Sequence, residues 1–127
     1  MATTREIQNY LVNNKWTEIE EMFDGKSRIY RSIWNLPNGR SQVVWVQLND
    51  TFYQLVSPFA KESDLPAERA LNMNMTMLGV SVMLGHYCLV SMGTVASFAV
   101  SEFEMLEQLT ARFADEIEMN SGGGDLL

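Results

Sequence analysis

A chain of 127 residues with 46% apolar content is long enough to build one domain around its own core, and too apolar to be disordered. Sixteen acidic against nine basic residues leave a formal charge of −7, a field that repels phosphate backbones and argues against nucleic acid as a partner. No run approaches a membrane span, and the one cysteine, Cys88, has no internal disulfide partner, which suits a reducing cytoplasm.

In chain order, "MATTREIQNYLVNN" lacks the apolar core of an export signal, so the expected location is cytoplasmic. The sequons at 49–51 and 74–76 then read as chance matches. Thr3 and Glu6 form the outline of a capping box, and Ile7, Tyr10 and Leu11 give a first helix its apolar stripe. Residues 16–24, "WTEIEEMFD", fit a helical turn or an extended link equally well. Two runs rich in β-branched and aromatic residues follow, 28–34 and 42–48, and Pro37-Asn38-Gly39 between them is turn chemistry, which predicts a hairpin. A third strand covers 51–57, with Pro58 as its stop.

Ser63 or Asp64, Pro66 and Glu68 then signal the start of a second helix. Strict apolar–polar alternation from Leu71 to Met77 would suit a strand, but a helix closing at "LNMN" leaves "MTML" as a link and "GVSVML" (79–84) as the fourth strand. Gly85-His86 turns the chain into a fifth strand, 87–92. Ser101 and Glu104 are spaced as a capping box for a final helix of four or five turns, with Phe103, Leu106, Leu109, Phe113 and Ile117 as its buried stripe. The tail "NSGGGDLL" stops that helix and reads as mobile. The expected fold is α+β in the order α-β-β-β-α-β-β-α, an antiparallel five-stranded sheet with helices packed on it. Residues 1–120 form one domain and 121–127 a tail.

Both faces of that sheet are partly apolar. Val44, Val46 and Leu48 oppose Val43 and Trp45, while Tyr87 and Leu89 oppose Cys88, Val90 and Met92. A sheet wetted on one side would alternate more cleanly, so either helices cover both faces or one face meets another molecule. Three helices over five strands would cover the second face only in part, which favours a partner surface.

Little in the chain asks for catalysis. His86 stands without a second histidine and reads as a turn residue, and its i, i+2 spacing to Cys88 offers contact but no third group to orient a dyad. The glycines at 122–124 precede no helix and cannot cradle phosphate. Glu18, Glu20, Glu21 and Asp24 are interrupted by Ile19, Met22 and Phe23 and read as a solvated acidic face rather than a calcium loop. Glu102, Glu104 and Glu107 find a sufficient role beside the N-terminal dipole of the last helix. Lys26, Arg28, Arg31 and Arg40 decorate the first hairpin, where charge discourages edge association. No cofactor, metal ligand or catalytic residue is expected. Nine methionines are a different matter, because methionine is favoured where a surface must accept varied apolar partners, although most are expected to fill the core.

"AERALNMNMTMLGVSVMLGHYCLVSM" resembles the pattern of the YbjN family, small bacterial proteins with the type III secretion chaperone-like fold. The matching positions are Leu71, Asn74, Gly79 and the hairpin at 80–84 and 87–92. "VWVQLNDTFYQLVSPFA" is similar to that family's third strand, and "LTARFADEIEMNSGGGDLL" to its ending through Ala114-Asp115, Glu118 and a Gly-Asp tail. The resemblance covers 28–127 and departs from the pattern at 91–101, where a shorter link would be expected. It implies a homodimer that holds apolar segments of client proteins, without catalytic activity. The alternative it implies is a sensory or stress regulator answering to a partner or a small ligand. Trp45, Met73, Met75 and Met92 are the candidate protein-binding residues.

Overall fold

The computed structural model describes residues 2–61, 63, 79–83 and 85–120. Helix α1 runs over Thr4–Asn13. It starts because Thr3 sits in an extended conformation and its hydroxyl accepts the Glu6 N–H at 3.3 Å, a cap of about 1 kcal/mol. Ile7 and Leu11 are fully buried, and the Asn14 amide closes the helix by donating to the Tyr10 carbonyl at 2.8 Å. A two-residue strand β1 (Thr17–Glu18) and a 3-10 turn over Glu20–Met22 follow, so the acidic stretch is both extended and turned. Glu18, Glu20, Glu21 and Asp24 are all exposed.

The main sheet comprises β2 (Arg28–Asn35), β3 (Ser41–Leu48), β4 (Phe52–Lys61), β5 (Gly79–Met83) and β6 (His86–Thr94). The order is β1-β2-β3-β4-β6-β5, antiparallel throughout, with the short β1 as an outer sixth strand. The β2–β3 connection is closed by Leu36 N–H to Arg40 O and Gly39 N–H to Leu36 O, with Gly39 at a φ of 83°. Helix α2 covers Val100–Asn120. The expected α+β architecture with an antiparallel sheet is present. The second helix predicted up to Asn74 lies outside the described residues from Asp64 onward, as do the link after it and the tail at 121–127.

Alternation along the strands sends Tyr30, Val44, Val46, Leu48, Tyr53 and Leu55 to one face, where they meet Ile7 and Leu11 of α1 and Phe103 and Ala111 of α2. Rings concentrate where the helices cross the sheet, with Tyr10, Tyr53, Phe98 and Phe103 packed 5.5–5.9 Å apart between centroids. The softer segment after the fifth strand belongs to this cluster. Strand β6 continues to Thr94, the Val95 N–H donates to the Thr51 carbonyl at 2.8 Å, and Phe98 lies on Tyr53.

Two expectations need correction. Pro58 does not end its strand, because β4 continues to Lys61 through a register shift between Pro58 and Ala60. The β3–β4 ladder reaches Trp45 and Val56, and beyond it side chains take over. The Ser57 hydroxyl donates to the Val43 carbonyl at 2.6 Å, and the Gln42 amide donates to Pro58 O, so the missing proline N–H leaves no gap.

The buried face of α2 is also not the predicted stripe. Phe103 is fully buried, but Leu106, Leu109 and Ile117 are half-buried and Phe113 is exposed. Buried with Phe103 are Glu107, Thr110, Ala111, Ala114, Asp115 and Glu118. Small alanines let the helix sit close to the sheet, and the three carboxylates find donors at its rim. The helix also starts two residues early, with the Phe103 N–H on the Ala99 carbonyl, so Ser101 lies inside the first turn and is not its cap.

Candidate functional site

Trp34 is the inward-facing residue at the far end of β2, paired across the ladder with Gln42. Its partner strand β1 covers only Arg31 and Tyr30, so the outer edge of β2 is open from Ser32 to Asn35 among the described residues. The Ile19 N–H bonds the Ile29 carbonyl, which places the backbone groups of Ile29 on the β1 side. Alternation then turns the N–H and C=O of Ile33 and Asn35 to that same open edge.

Beside this edge a groove follows α2, in three stretches of about 510, 580 and 430 Å3 that all share Trp34. At one end it is lined by the β2–β3 turn, Arg112, Asp115 and Met119. In the middle Val100, Met105 and Gln108 form its wall. At the other end Tyr10, Trp16, Glu104 and Glu107 face Ser32 and Ile33. Val100, Met105, Met119 and Ile33 are all large apolar side chains left exposed.

The charges of this groove follow from what the rim of the sheet offers. The Trp34 indole N–H donates to Glu107 Oε2 at 3.2 Å. Burial nevertheless pushes the Glu107 carboxyl up to about 7, the indole bond opposing the shift and the neighbouring Glu104 charge adding to it. Tyr10 is pushed up to about 12, first by burial and then by the charges of Glu104 and Glu107. At the opposite end Arg40 Nε donates to Asp115 at 2.6 Å and its NH2 group to Glu118 at 2.5 Å, while the Asn38 amide donates to Asp115 at 3.0 Å. Arg40 therefore ties the β2–β3 turn to the last helix and does not decorate an exposed hairpin.

The predicted binding residues lie elsewhere. Trp45 and Met92 share the opposite face of the sheet, diagonal to one another across β4 through Val56 and Gln54. Met92 is 58% exposed, and Trp45 is half-buried under the Arg31 guanidinium, 5.8 Å from its ring. Met73 and Met75 lie outside the described residues. His86 opens β6, and the buried Cys88 thiol lies 3.7 Å from the His86 carbonyl.

Sequence reasoning missed the groove because the N-terminal dipole of the last helix gave Glu107 a sufficient role and Asp115 entered only through the family resemblance. The available signal was their position at i, i+8, which puts them on one helix face with Ala111 between them. Among the described residues no cluster of His, Cys, Asp or Glu could hold a metal ion, and no helix is long and apolar enough to cross a membrane. Comparison with protein-family models, curated proteins and solved structures found no match to this chain.

Proposed function

We propose that this domain is a non-enzymatic, cytoplasmic protein-binding module with a chaperone-like or adaptor role, holding apolar segments of partner proteins and acting as a homodimer. The groove along α2 carries this reading. It pairs an open strand edge at Ile33 and Asn35 with exposed Val100, Met105 and Met119 and the Trp34 ring. An extended segment that adds to β2 gains main-chain hydrogen bonds, and every second side chain falls toward Trp34. Methionine walls accept varied shapes without a fixed lock. The Trp45–Met92 face is the surface proposed for the second copy, in keeping with the family resemblance of the sequence. A regulator answering to a small ligand is the second reading, favoured by the buried carboxylate at one end of the groove.

The test is a panel of extended peptides with alternating apolar residues, titrated onto the wild type and onto Ile33→Pro. Proline removes an N–H that faces the open edge, leaves the β3 ladder intact and is tolerated at sheet edges. Peptide binding should weaken at least tenfold while the far-UV spectrum is unchanged. Equal binding to both proteins, or to neither, overturns strand addition at this edge. Light scattering on the purified protein should give twice the mass of 14.4 kDa, and a monomer at all concentrations overturns the homodimer.

A further inference from the structure

One stretch of the groove is built unlike the rest. Between α1, β2 and α2 it forms an open recess of about 430 Å3, and its walls hold three aromatic rings, Tyr10, Trp16 and Trp34, with two carboxylates, Glu104 and Glu107. No lysine or arginine is among the described residues that line it. Glu107 is only 6% exposed. Its Oε2 accepts the indole N–H of Trp34, and no described residue hydrogen-bonds Oε1. A carboxylate withdrawn from water normally gains a cationic partner or several donors, because burying the charge alone is costly. Here the protein supplies one neutral donor and a second negative charge at Glu104, beside a Tyr10 hydroxyl that burial and the two glutamates keep protonated.

Such a pocket complements an organic cation. An ammonium group can donate to Glu107 Oε1 and to Glu104, while its alkyl stem and positive charge lie against the electron-rich ring faces. A divalent metal ion fits worse, since it asks for more oxygen ligands than two carboxylates provide. We infer that this stretch binds an alkylammonium group, with Glu107 as its main acceptor and Trp34 as the wall for its stem.

The cation has two sources of the same chemistry. It can be the lysine side chain of a segment lying in the groove, which rests on the protein-binding reading above, or a free polyamine, which does not. In either case the bound charge holds Glu107 in its ionised form, and the displaced proton passes to the buffer.

The experiment is titration calorimetry at pH 7 with spermidine, with a capped hexapeptide of alternating valine and threonine bearing one central lysine, and with the same peptide acetylated at that lysine. The proteins are the wild type, Glu107→Gln and the exposed control Glu20→Gln. Glutamine keeps an oxygen to accept the Trp34 N–H, and circular dichroism checks that the variant is folded. Amine binding should weaken at least tenfold in Glu107→Gln and stay unchanged in Glu20→Gln. Heats in buffers of different ionisation enthalpy should show release of up to about half a proton per cation.

A lysine peptide that outbinds its acetylated form on the wild type but not on Glu107→Gln assigns the cation to a protein segment. Spermidine binding that needs Glu107, with no difference between the peptides, assigns it to a free amine. Two peptides that bind equally while spermidine ignores the substitution overturn the cation site and leave the protein-binding reading standing. Spermidine binding through Glu107 with no peptide binding at all does the reverse.

Discussion

Replacing Glu107 by glutamine removes one titrating proton and changes little else, because the amide keeps the shape of the side chain and an acceptor for the Trp34 indole. The wild-type carboxyl is pushed up from its ordinary 4.5 to about 7, mainly by burial. Between these values the folded state binds a proton that the unfolded chain has released. The contribution of Glu107 is therefore fully present below pH 4.5 and is lost as pH rises through 7. Each pH unit between the two values corresponds to about 1.4 kcal/mol, so the domain should lose about 3 kcal/mol from this group between pH 4.5 and pH 8. Glu107→Gln does not pass through this titration.

Urea unfolding of both proteins in half-unit steps from pH 5 to pH 8.5 measures the difference directly. Glu107→Gln should be near wild-type stability at pH 5 and more stable by about 2–3 kcal/mol at pH 8. Taking the difference between the two proteins removes every other titrating group. Asp24, for example, is held below its ordinary value by the backbone N–H groups of Lys26 and Ser27, and it loses its contribution in acid in both proteins alike. The Trp34 indole N–H resonance should move with the same midpoint near pH 7. A stability difference constant to within about 0.5 kcal/mol across this range would refute the account, since it would mean that Glu107 is solvated in the folded protein.

Arg40→Met should destabilise by about 3–5 kcal/mol in urea, because it takes the guanidinium from the buried Asp115 and Glu118 carboxylates. Gly93→Ala should cost about 1–3 kcal/mol by thermal or urea unfolding, since a Cβ there would overlap the buried Tyr53 ring and hydroxyl. Tyr53 is wedged against Phe98 and Phe103 and has no space to yield. Thr3→Ala should cost about 1 kcal/mol through loss of the α1 cap, and Thr3→Ser much less.

What was legible in the chain depended on whether one physical rule governed each segment. The α1 cap and the strand faces obey local rules, a hydroxyl three residues before a free N–H and a period of two, and both stand as read at Thr3, Val44, Val46 and Leu48. Pro58 misled because a local rule was outvoted by tertiary partners. Ser57 and Gln42 satisfy the backbone that proline would have left open, through bonds between strands that span 14 and 16 residues of sequence. The last helix misled for a related reason. Its apolar residues at 106, 109, 113 and 117 form a better stripe than the one it buries, yet Phe113 reaches solvent while Glu107, Asp115 and Glu118 do not.

Hydrophobic periodicity ranks faces by apolar content, but a buried acid is decided by donors 70 or more residues away, here Trp34, Asn38 and Arg40. All three donors come from one end of the first hairpin. That end was readable as a turn from Pro37-Asn38-Gly39, but its role as the rim that receives three carboxylates was not. The same donors are unequal, and the inequality shapes the groove. Arg40 meets its acids with a full positive charge, so that end is a strut between turn and helix. Trp34 meets Glu107 with a neutral N–H, which leaves the carboxylate short of compensation in a pocket lined by aromatic rings. A fold seeking only stability would gain by placing a leucine or a glutamine at 107. Retaining an acid whose charge is suppressed near neutral pH makes physical sense where the missing positive charge arrives from outside.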